Sequence, residues 1–368
     1  MRPRSQPRAS PGSSPGTEPL RYPVVTTRQL NRALLQRQLL LDRRRLSLTD
    51  ALEQLGGLQT QYAPAGYIGL WSRLEGFERP MLTRALEDRR AVQATLMRAT
   101  IHTVSAADYW PITAGIRRVR REWFESATRG AVGTLDTQAA AGAIRDELAD
   151  GPLLMKELTD RVVARGLPAT AARWAGMWVD LVRVPPSGTW ERRRADLYGL
   201  ADSWIPPVEV TEGEGIELLI RRYLGAFGPA GLKEIASWMG HKVGQIRPIA
   251  DAMDLRRLSD ESGKPLLDLP DARLPDPDAP APARFLPVWD ATLLVHARRT
   301  QILPEEYRAR IFNTRTPHSV NTFLVDGQVA GTWRYENGRV ELSPFEHLAA
   351  ADRAELEAEG ERLAAFHG

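Results

Sequence analysis

Two glutamines separated by one residue stand in the stretch LGGLQTQYAP, which runs from Leu55 to Pro64. A Gly-Gly pair precedes them and a proline follows them, and both features argue against a helix through the segment. In an extended segment Gln59 and Gln61 point to one side, whereas Thr60 points to the other. Two amides there can hold and aim a water molecule, but neither can remove its proton at neutral pH. The pair therefore suits hydrolysis of a bond whose leaving group departs easily, although a polar turn that binds its own backbone would use the same residues.

Other catalytic signatures are absent from the sequence. It contains no HExxH, GxSxG or GxxxxGK[ST] motif, so it has none of the usual markers of zinc proteases, serine hydrolases and P-loop enzymes. The absence of cysteine excludes disulfides and thiol nucleophiles. The six histidines are spread too widely to predict a metal site, and no cofactor is expected. A covalent lyase reaction needs an amine, and none of the four lysines lies near the glutamines in sequence.

Charge is segregated along the chain. The formal net charge is only +3, yet the isoelectric point is about 9.3 and nearly all basic residues are arginines. Arginines cluster at 43–45, 117–121 and 192–194, whereas residues 341–368 carry seven carboxylates against two arginines. Such a chain can bind a polyanion through one basic surface, although an arginine-rich genome explains the bias equally well. We take Arg43, Arg44 and Arg45 as candidate DNA-binding residues.

The N-terminal residues 1–22 are rich in proline, serine, glycine and arginine and have no apolar core, so they predict a disordered tail and not a signal peptide. No apolar run approaches the roughly 20 residues that cross a bilayer, and no membrane partner is expected. A reducing cytoplasm, with the protein on the nucleoid, fits the absence of cysteine.

The element order predicts winged helices. Thr26 and Gln29 have the spacing of a capping box, and a second helix is expected from Ser47 to the Gly56-Gly57 pair. A third helix follows at about residues 80–90, and MRATIHTVSAADY alternates like a strand before a new helix at Ser105. Short helices followed by a strand pair are typical of a winged helix. His102 lies on this alternating stretch, where a lone histidine is usually a hydrogen-bonded core residue.

A related order of elements occurs twice more. Pro185-Pro186-Ser187-Gly188 predicts a turn between two strands, which is a plausible wing, and Asp326-Gly327 and Asn337-Gly338 predict two hairpins. We therefore predict a mainly α chain with small β-sheets (α+β). Its winged helices span 23–130, 131–210 and 211–368, and the last contains a β-hairpin insertion and an acidic C-terminal helix.

A polar tip precedes the strand-like run near residue 322. It comprises Arg315, Thr316, Pro317, His318, Ser319 and Asn321. Such a tip could enter a DNA groove, where arginine binds phosphates or base edges. An ordinary surface turn has the same composition, so both interpretations stay open.

Three separated stretches resemble the winged-helix DNA glycosylases of the AlkZ type. They are LGGLQTQYAP, LMRATIHTVSAADY and FLPVWDATLLVHARRTQILPEEYRARIFNTRTPHSVNTFLVDGQVAGTWR, and the resemblance extends over residues 24–350. The Gln-x-Gln catalytic signature of the family matches Gln59-Thr60-Gln61. Its middle position is usually apolar, so Thr60 is a departure that matters little if this residue faces away from the lesion. A sister branch carries Gln-x-Asp, and Gln61 therefore places the chain on the AlkZ-like side.

The resemblance implies three tandem winged helices around a C-shaped, basic concave surface. It also implies excision of N7-alkylated guanines and interstrand crosslinks formed by antibiotics such as azinomycin, and hence self-resistance. N7 alkylation makes the base a neutral leaving group, so Gln59 and Gln61 need only hold the sugar and position water. A crosslinked base cannot swing out freely, so the tip from Thr316 to Asn321 would probe the groove beside it.

Three hypotheses remain open at this stage. The first is a monofunctional DNA glycosylase that acts on duplex DNA with an alkylated guanine or a crosslink and leaves an abasic site. The second is a non-catalytic winged-helix regulator, and the third is an arginine-rich architectural protein. The first two both predict duplex binding that salt weakens, and they differ in whether Gln61→Ala abolishes an activity. No dimerisation helix is evident, so we expect a monomer.

Overall fold

The computed structural model describes residues 22–128, 135–295, 300–312 and 319–368. The tail expected at residues 1–22 therefore lies outside the described residues except for Tyr22. Within the described ranges, no helix is long and apolar enough to cross a membrane.

The first part of the chain forms four strands and five helices: β1 (Val24–Val25), α1 (Thr27–Arg37), α2 (Leu48–Gln54), β2 (Leu58–Gln59), α3 (Ala63–Arg73), α4 (Arg79–Glu87), β3 (Ala91–Thr95), β4 (Ile101–Ser105) and α5 (Ala106–Thr128). The predicted capping box at the start of α1 is confirmed, because Thr26 Oγ1 accepts from the N–H of Gln29 and Gln29 Oε1 accepts from the N–H of Thr26. Ser47 caps α2 as predicted. Gly56 and Gly57 follow this helix with φ of 68° and 79°, in the left-handed region that favours glycine.

The middle part of the chain contains α6 (Thr137–Glu147), β5 (Leu153–Leu154), α7 (Met155–Ala164), α8 (Ala169–Arg173), β6 (Leu181–Arg183), β7 (Leu197–Leu200) and α9 (Ala201–Trp204). The last part contains α10 (Glu212–Phe227), α11 (Leu232–Met239), α12 (Val243–Ala252), β8 (Arg256–Asp260), β9 (Pro265–Asp268), β10 (Arg284–Leu286), α13 (Ala291–Leu294), α14 (Arg308–Ile311), β11 (Thr322–Val325), β12 (Gln328–Glu336), β13 (Arg339–Pro344) and α15 (Ala350–His367). Short 3₁₀ turns occur at Met97–Ala99, Ala175–Met177 and Glu305–Tyr307. The predicted acidic C-terminal helix is therefore present as α15.

Six strands form one antiparallel sheet in the order β2-β4-β3-β6-β7-β5. The pairing of β3 with β6 places Gln93 opposite Arg183, so strands from the first two predicted units share this sheet. The connection between β6 and β7 contains the predicted turn at Pro185-Pro186-Ser187-Gly188. Strand β2, which carries Gln59, lies at one edge of the sheet. The glutamine pair therefore begins at an edge where only one side of the strand is paired.

Two smaller sheets consist of strands from the last part of the chain together with β1 from the first part. Strand β1 pairs in parallel with β8, which also pairs with β9, and β10 to β13 form an antiparallel sheet in chain order. Both predicted hairpins are confirmed, at Asp326-Gly327 and at Asn337-Gly338. All four turn residues have positive φ, between 45° and 77°, as two-residue type I′ turns require.

Helices α5 and α10 approach each other at two glycines. A Cβ added at Gly115 would lie 2.7 Å from the carbonyl carbon of Gly215, and a Cβ added at Gly215 would lie 2.4 Å from the oxygen of Pro111. Larger residues would push the helices apart. Ile112 and Leu219 lie in the core that both helices share. The last part of the chain thus packs directly on the first.

Helix α3 connects the glutamine segment with the C-terminal helix. Its residues Tyr67 and Ile68 are buried in a core that also contains Phe285, Trp333 and Leu356. The expected mixture of helices and small sheets is therefore confirmed. The boundaries at 130/131 and 210/211, and the arrangement of three winged helices around a C-shaped surface, stay predictions.

Candidate active site

The segment that carries the glutamine pair is extended at its start, as predicted. Strand β2 pairs with β4, so Gln59 lies opposite His102. The N–H of Thr60 then donates to the carbonyl oxygen of Ile101 at 2.8 Å. Helix α3 begins two residues after Gln61, with a proline in its first turn. Sheet and helix thus hold the pair from both sides.

Thr60 faces the protein interior, which confirms the predicted alternation. Its side chain is 1% exposed, and its Oγ1 lies 3.0 Å from Oγ1 of Thr103. Its methyl group fits against Gly66, where an added Cβ would lie only 2.7 Å away. The threonine that departs from the usual apolar residue therefore takes a buried, hydrogen-bonded position between the two amides.

Both glutamine side chains have a fixed orientation. Gln59 Oε1 accepts from Nη2 of Arg98 at 3.2 Å, and Gln61 Oε1 accepts from the N–H of Ile101 at 3.0 Å. Because only the oxygen of an amide can accept, each donor determines which way its amide points. Gln59 is 9% exposed, whereas Gln61 is exposed. Each oxygen keeps a second lone pair, so the pair can still bind a water molecule.

Within the part of the chain that the structure describes, the groups that hydrogen-bond to the two amides carry no negative charge. Within the described residues, no carboxylate hydrogen-bonds to either glutamine. His102 is buried, and its Nδ1 lies 3.1 Å from the carbonyl oxygen of Thr100. Burial, with a further contribution from the charge of Arg98, lowers the pKa of His102 to about 3. The imidazole is therefore neutral at pH 7, as a hydrogen-bonded core histidine should be.

Arg98 is a site residue that the sequence did not identify. It lies in the turn between β3 and β4, where Arg98 and Ala99 have φ of 53° and 56°. Besides Gln59, it donates through Nη1 to the carbonyl oxygen of Trp238 at 3.3 Å, which connects the site to α11. Arg98 is exposed, as arginines in tight turns usually are, so its position in the sequence gave no signal. Its neighbourhood, the resembling stretch LMRATIHTV, was the only indication.

The predicted polar tip is only partly described. Arg315, Thr316, Pro317 and His318 lie outside the described residues. Ser319 is 8% exposed, and its Oγ accepts from the N–H of Trp289 at 2.6 Å. Asn321 Oδ1 accepts from the N–H of Val288 at 2.9 Å. These two residues therefore hold the loop at Val288 and Trp289 in place, and their contact with DNA stays a prediction.

The arginines at 43–45 lie at the other end of α3. Arg43 forms an ion pair with Glu359, and its guanidinium lies 4.6 Å from the ring centre of Trp71. Arg45 pairs with Glu75 at 2.9 Å, and the backbone of Arg44 bridges to the residue before Glu75. Helix α3 has 11 residues, so its two ends are about 15 Å apart. The structure does not bring this cluster next to the glutamines, and DNA binding by Arg43, Arg44 and Arg45 stays a prediction.

Comparison with known proteins assigns the chain to a family. A solved structure, the DNA glycosylase AlkZ of Streptomyces sahachiroi, has a similar fold, with a TM-score of 0.77 and 19% sequence identity. The alignment covers 94% of this chain and 96% of that one. A search of curated proteins finds no match. The family model described as DNA glycosylase AlkZ-like matches residues 52–366, which include both glutamines. The chain therefore belongs to the AlkZ-like DNA glycosylase family.

Proposed function

We propose that this glycosylase hydrolyses the N-glycosidic bond of N7-alkylguanine in duplex DNA, including guanines in interstrand crosslinks, and leaves an abasic site. The observation that carries the proposal is the fixed glutamine pair. Two neutral amides, each oriented by its own donor, lie at the end of β2 and just after it, and no carboxylate hydrogen-bonds to them within the described residues. Such a site suits a substrate whose leaving group needs no protonation.

The chemistry of N7-alkylguanine meets this requirement. The alkylated base is already a cation, so it leaves as a neutral molecule when the glycosidic bond breaks. Gln61, which is exposed, accepts a hydrogen bond from the attacking water and places its oxygen at the anomeric carbon. Gln59 directs its carbonyl dipole at the sugar as oxocarbenium character develops. Arg98 and the N–H of Ile101 keep both amides in position, so no reorganisation is needed in the transition state.

We propose a monofunctional reaction, and the placement of the lysines supports it. All four lysines lie in described segments, and none hydrogen-bonds to Gln59 or Gln61. A Schiff base with the abasic sugar would need such an amine. Borohydride should therefore trap no covalent complex between protein and DNA. A trapped complex would show lyase chemistry and contradict this part of the proposal.

The biological role that we propose is self-resistance to a genotoxic natural product such as azinomycin, exerted by a monomer on the nucleoid in the cytoplasm. The Gln-x-Gln pair supports this role, because it matches the self-resistance side of the family. Sedimentation of the purified protein with and without duplex DNA tests the monomer. A stable dimer would contradict it.

The decisive experiment measures excision from three duplexes. They carry one N7-methylguanine, one bulky N7 adduct and one N7–N7 interstrand crosslink, and alkali reveals abasic sites after incubation. We expect cleavage above the protein-free background with the wild type, and a rate at least about 100-fold lower with Gln61→Ala. The matched control is Gln54→Ala, because Gln54 is exposed and makes only a 3.4 Å hydrogen bond to the carbonyl of Arg37.

The alternative function is a non-catalytic winged-helix DNA-binding protein. It predicts tight duplex binding with no excision of any of the three adducts, and no effect of Gln61→Ala. Excision that persists at the wild-type rate in both Gln59→Ala and Gln61→Ala would keep the glycosylase but reject the glutamine pair as its catalytic site.

A further inference from the structure

The connection between β6 and β7 forms a rigid loop beside the glutamine pair. We call residues 185–196 the arginine wing. Ser187 Oγ accepts from the N–H groups of Asp196 and Leu197 at 2.7 and 3.1 Å and donates to the carbonyl oxygen of Arg194 at 2.8 Å. These three bonds use the full hydrogen-bonding capacity of a hydroxyl. Gly188 has φ of 76° and lies against Gln93, where an added Cβ would come within 2.2 Å of Oε1. The wing is thus fixed on the six-stranded sheet.

The wing presents three consecutive arginines at the surface. Arg192, Arg193 and Arg194 are all exposed. Arg194 pairs with Asp196 at 3.0 Å, but its side chain is 87% exposed, so this pair is weak. No salt bridge in the described part of the chain involves Arg192 or Arg193. Two guanidinium groups therefore remain available for an anion outside the protein.

Arg193 connects the wing to the catalytic segment. Its Nη1 donates to the hydroxyl of Tyr62 at 3.0 Å, and its Nε donates to the carbonyl oxygen of Trp190 at 3.4 Å. Trp190 is buried against Tyr67 of α3, so the part of the wing that Arg193 contacts is held in place. Tyr62 follows Gln61 directly and is 42% exposed. An exposed aromatic ring thus stands next to Gln61 in the chain, and a cationic side chain is hydrogen-bonded to its hydroxyl.

We propose that the arginine wing and Tyr62 bind the damaged strand of duplex DNA beside Gln61. Arg192 and Arg193 contact phosphates, and the ring of Tyr62 packs against the nucleotide that flanks the lesion. Guanidinium groups bind phosphate through paired hydrogen bonds, and aromatic rings stack on nucleotides whatever their sequence. These contacts would fix the register of the strand so that the anomeric carbon meets the glutamine pair. The inference rests on the proposed function, because it takes DNA as the substrate.

Salt titration of binding tests the phosphate contacts. Affinity for an undamaged duplex is measured by fluorescence anisotropy at several salt concentrations, with Arg192→Ala, Arg193→Ala and the double variant. Each lost phosphate contact should lower the slope of log affinity against log salt by about 1, and each single variant should bind about tenfold more weakly at physiological salt. The matched control is Arg353→Ala, which removes one exposed arginine from the acidic helix α15. It should change affinity less than about twofold.

Substitution of Tyr62 provides a second test, whose result does not depend on a change of charge. Tyr62→Ala should slow single-turnover excision about tenfold with an unchanged salt slope, because stacking is uncharged. Tyr62→Phe keeps the ring but loses the hydroxyl that accepts from Arg193, so it should slow excision less than Tyr62→Ala does. Arg193→Lys keeps a charge and should retain most of the salt slope, which assigns the slope lost in Arg193→Ala to that charge.

The outcomes separate the two proposals. If the wild type excises in a Gln61-dependent way but the wing variants keep the wild-type salt slope, the wing does not bind DNA and this inference is overturned. If the wing variants lower the slope but no adduct is excised, the wing inference stands while the proposed reaction fails.

Discussion

The two ends of α3 use polar side chains in different ways. At its N-terminal end, Gln61 and Tyr62 are exposed, and among the described residues each side chain has one hydrogen bond that orients it. At its C-terminal end, Arg73 is fully buried and pairs with Asp290 at 2.9 Å. Arg43 lies beside this end and pairs with Glu359, whose side chain is 1% exposed.

The difference in exposure and pairing distinguishes polar groups that can bind a substrate from polar groups that stabilise the fold. A buried ion pair is satisfied within the protein, and breaking it leaves a charge without a partner. An exposed amide or guanidinium that is oriented by one bond keeps capacity for a ligand. Substitutions at the N-terminal end should therefore change activity more than stability, and substitutions at the C-terminal end should do the reverse.

Among the substitutions, the largest effect on stability at neutral pH is expected at Glu359. The change Glu359→Ala leaves Arg43 and Arg362 without their shared carboxylate and should destabilise the protein by about 3 kcal/mol, measured by urea unfolding. Excision per folded molecule should stay within about twofold of the wild type at a temperature below the transition.

The exposed Glu357 on the same helix supplies the control. Glu357 lies 3.9 Å from Arg353 and is 60% exposed, so Glu357→Ala should change the free energy of unfolding by less than about 0.5 kcal/mol. If Glu359→Ala left stability intact and slowed excision, the C-terminal end of α3 would take part in the reaction and the comparison would fail.

The next largest effect is expected at Arg98, which orients Gln59. Arg98→Met removes the 3.2 Å hydrogen bond to Gln59 Oε1 and should slow single-turnover excision about tenfold, while the free energy of unfolding changes by less than about 1 kcal/mol. A double-mutant cycle tests whether Arg98 acts through Gln59. In a Gln59→Ala background, Arg98→Met should cause little further loss, because there is no amide left to orient. Fully additive losses would show that Arg98 acts on the substrate by another route.

The sequence predicted local structure better than it predicted the partners of exposed side chains. The capping box at Thr26, the two hairpins and the inward direction of Thr60 were all predicted correctly, because each depends on residues a few positions apart. Arg98 was missed because its contact with Gln59 joins residues 39 positions apart. The arginine wing was noticed as a charge cluster, but only the pairing of β3 with β6 brings it to Tyr62.

The two arginine clusters show the same limitation. Residues 43–45 and 192–194 are both runs of three arginines, and nothing in composition distinguishes them. The folded chain supplies Glu359 and Glu75 to the first run, whereas within the described residues only Arg194 of the second run has a carboxylate partner. Whether a charged residue is available for a ligand therefore depends on distant carboxylates, which a local sequence pattern does not reveal.

A smaller effect is expected at Thr60, which lies at the N-terminal end but faces inward. Thr60→Val keeps the shape and removes the hydroxyl that contacts Thr103, so it should destabilise the protein by about 1 kcal/mol. Excision should stay within about twofold of the wild type, since the side chain points away from the amides. The measurement pairs urea unfolding with single-turnover excision. A large loss of excision would mean that the direction of the middle residue matters to the reaction.

A change of pH is expected to have the smallest effect on the excision rate. It should instead change the free energy of unfolding. Gln59 and Gln61 do not titrate, and His102, with a pKa of about 3, stays neutral, so the excision rate constant should be flat between about pH 6 and pH 9. Burial also lowers the pKa of His367, to about 4. Both histidines bind a proton more readily in the unfolded chain, near pH 6.5, than in the folded one.

Stability should therefore fall as pH drops from about 6.5 toward 4, by up to about 1.4 kcal/mol per pH unit for each fully buried histidine and less for the partly exposed His367. Urea unfolding at several pH values measures how the free energy of unfolding depends on pH. His102→Asn should reduce this dependence by the contribution of His102. A rate that instead titrates with a midpoint near neutral pH would reveal a general base and contradict a site built on two amides.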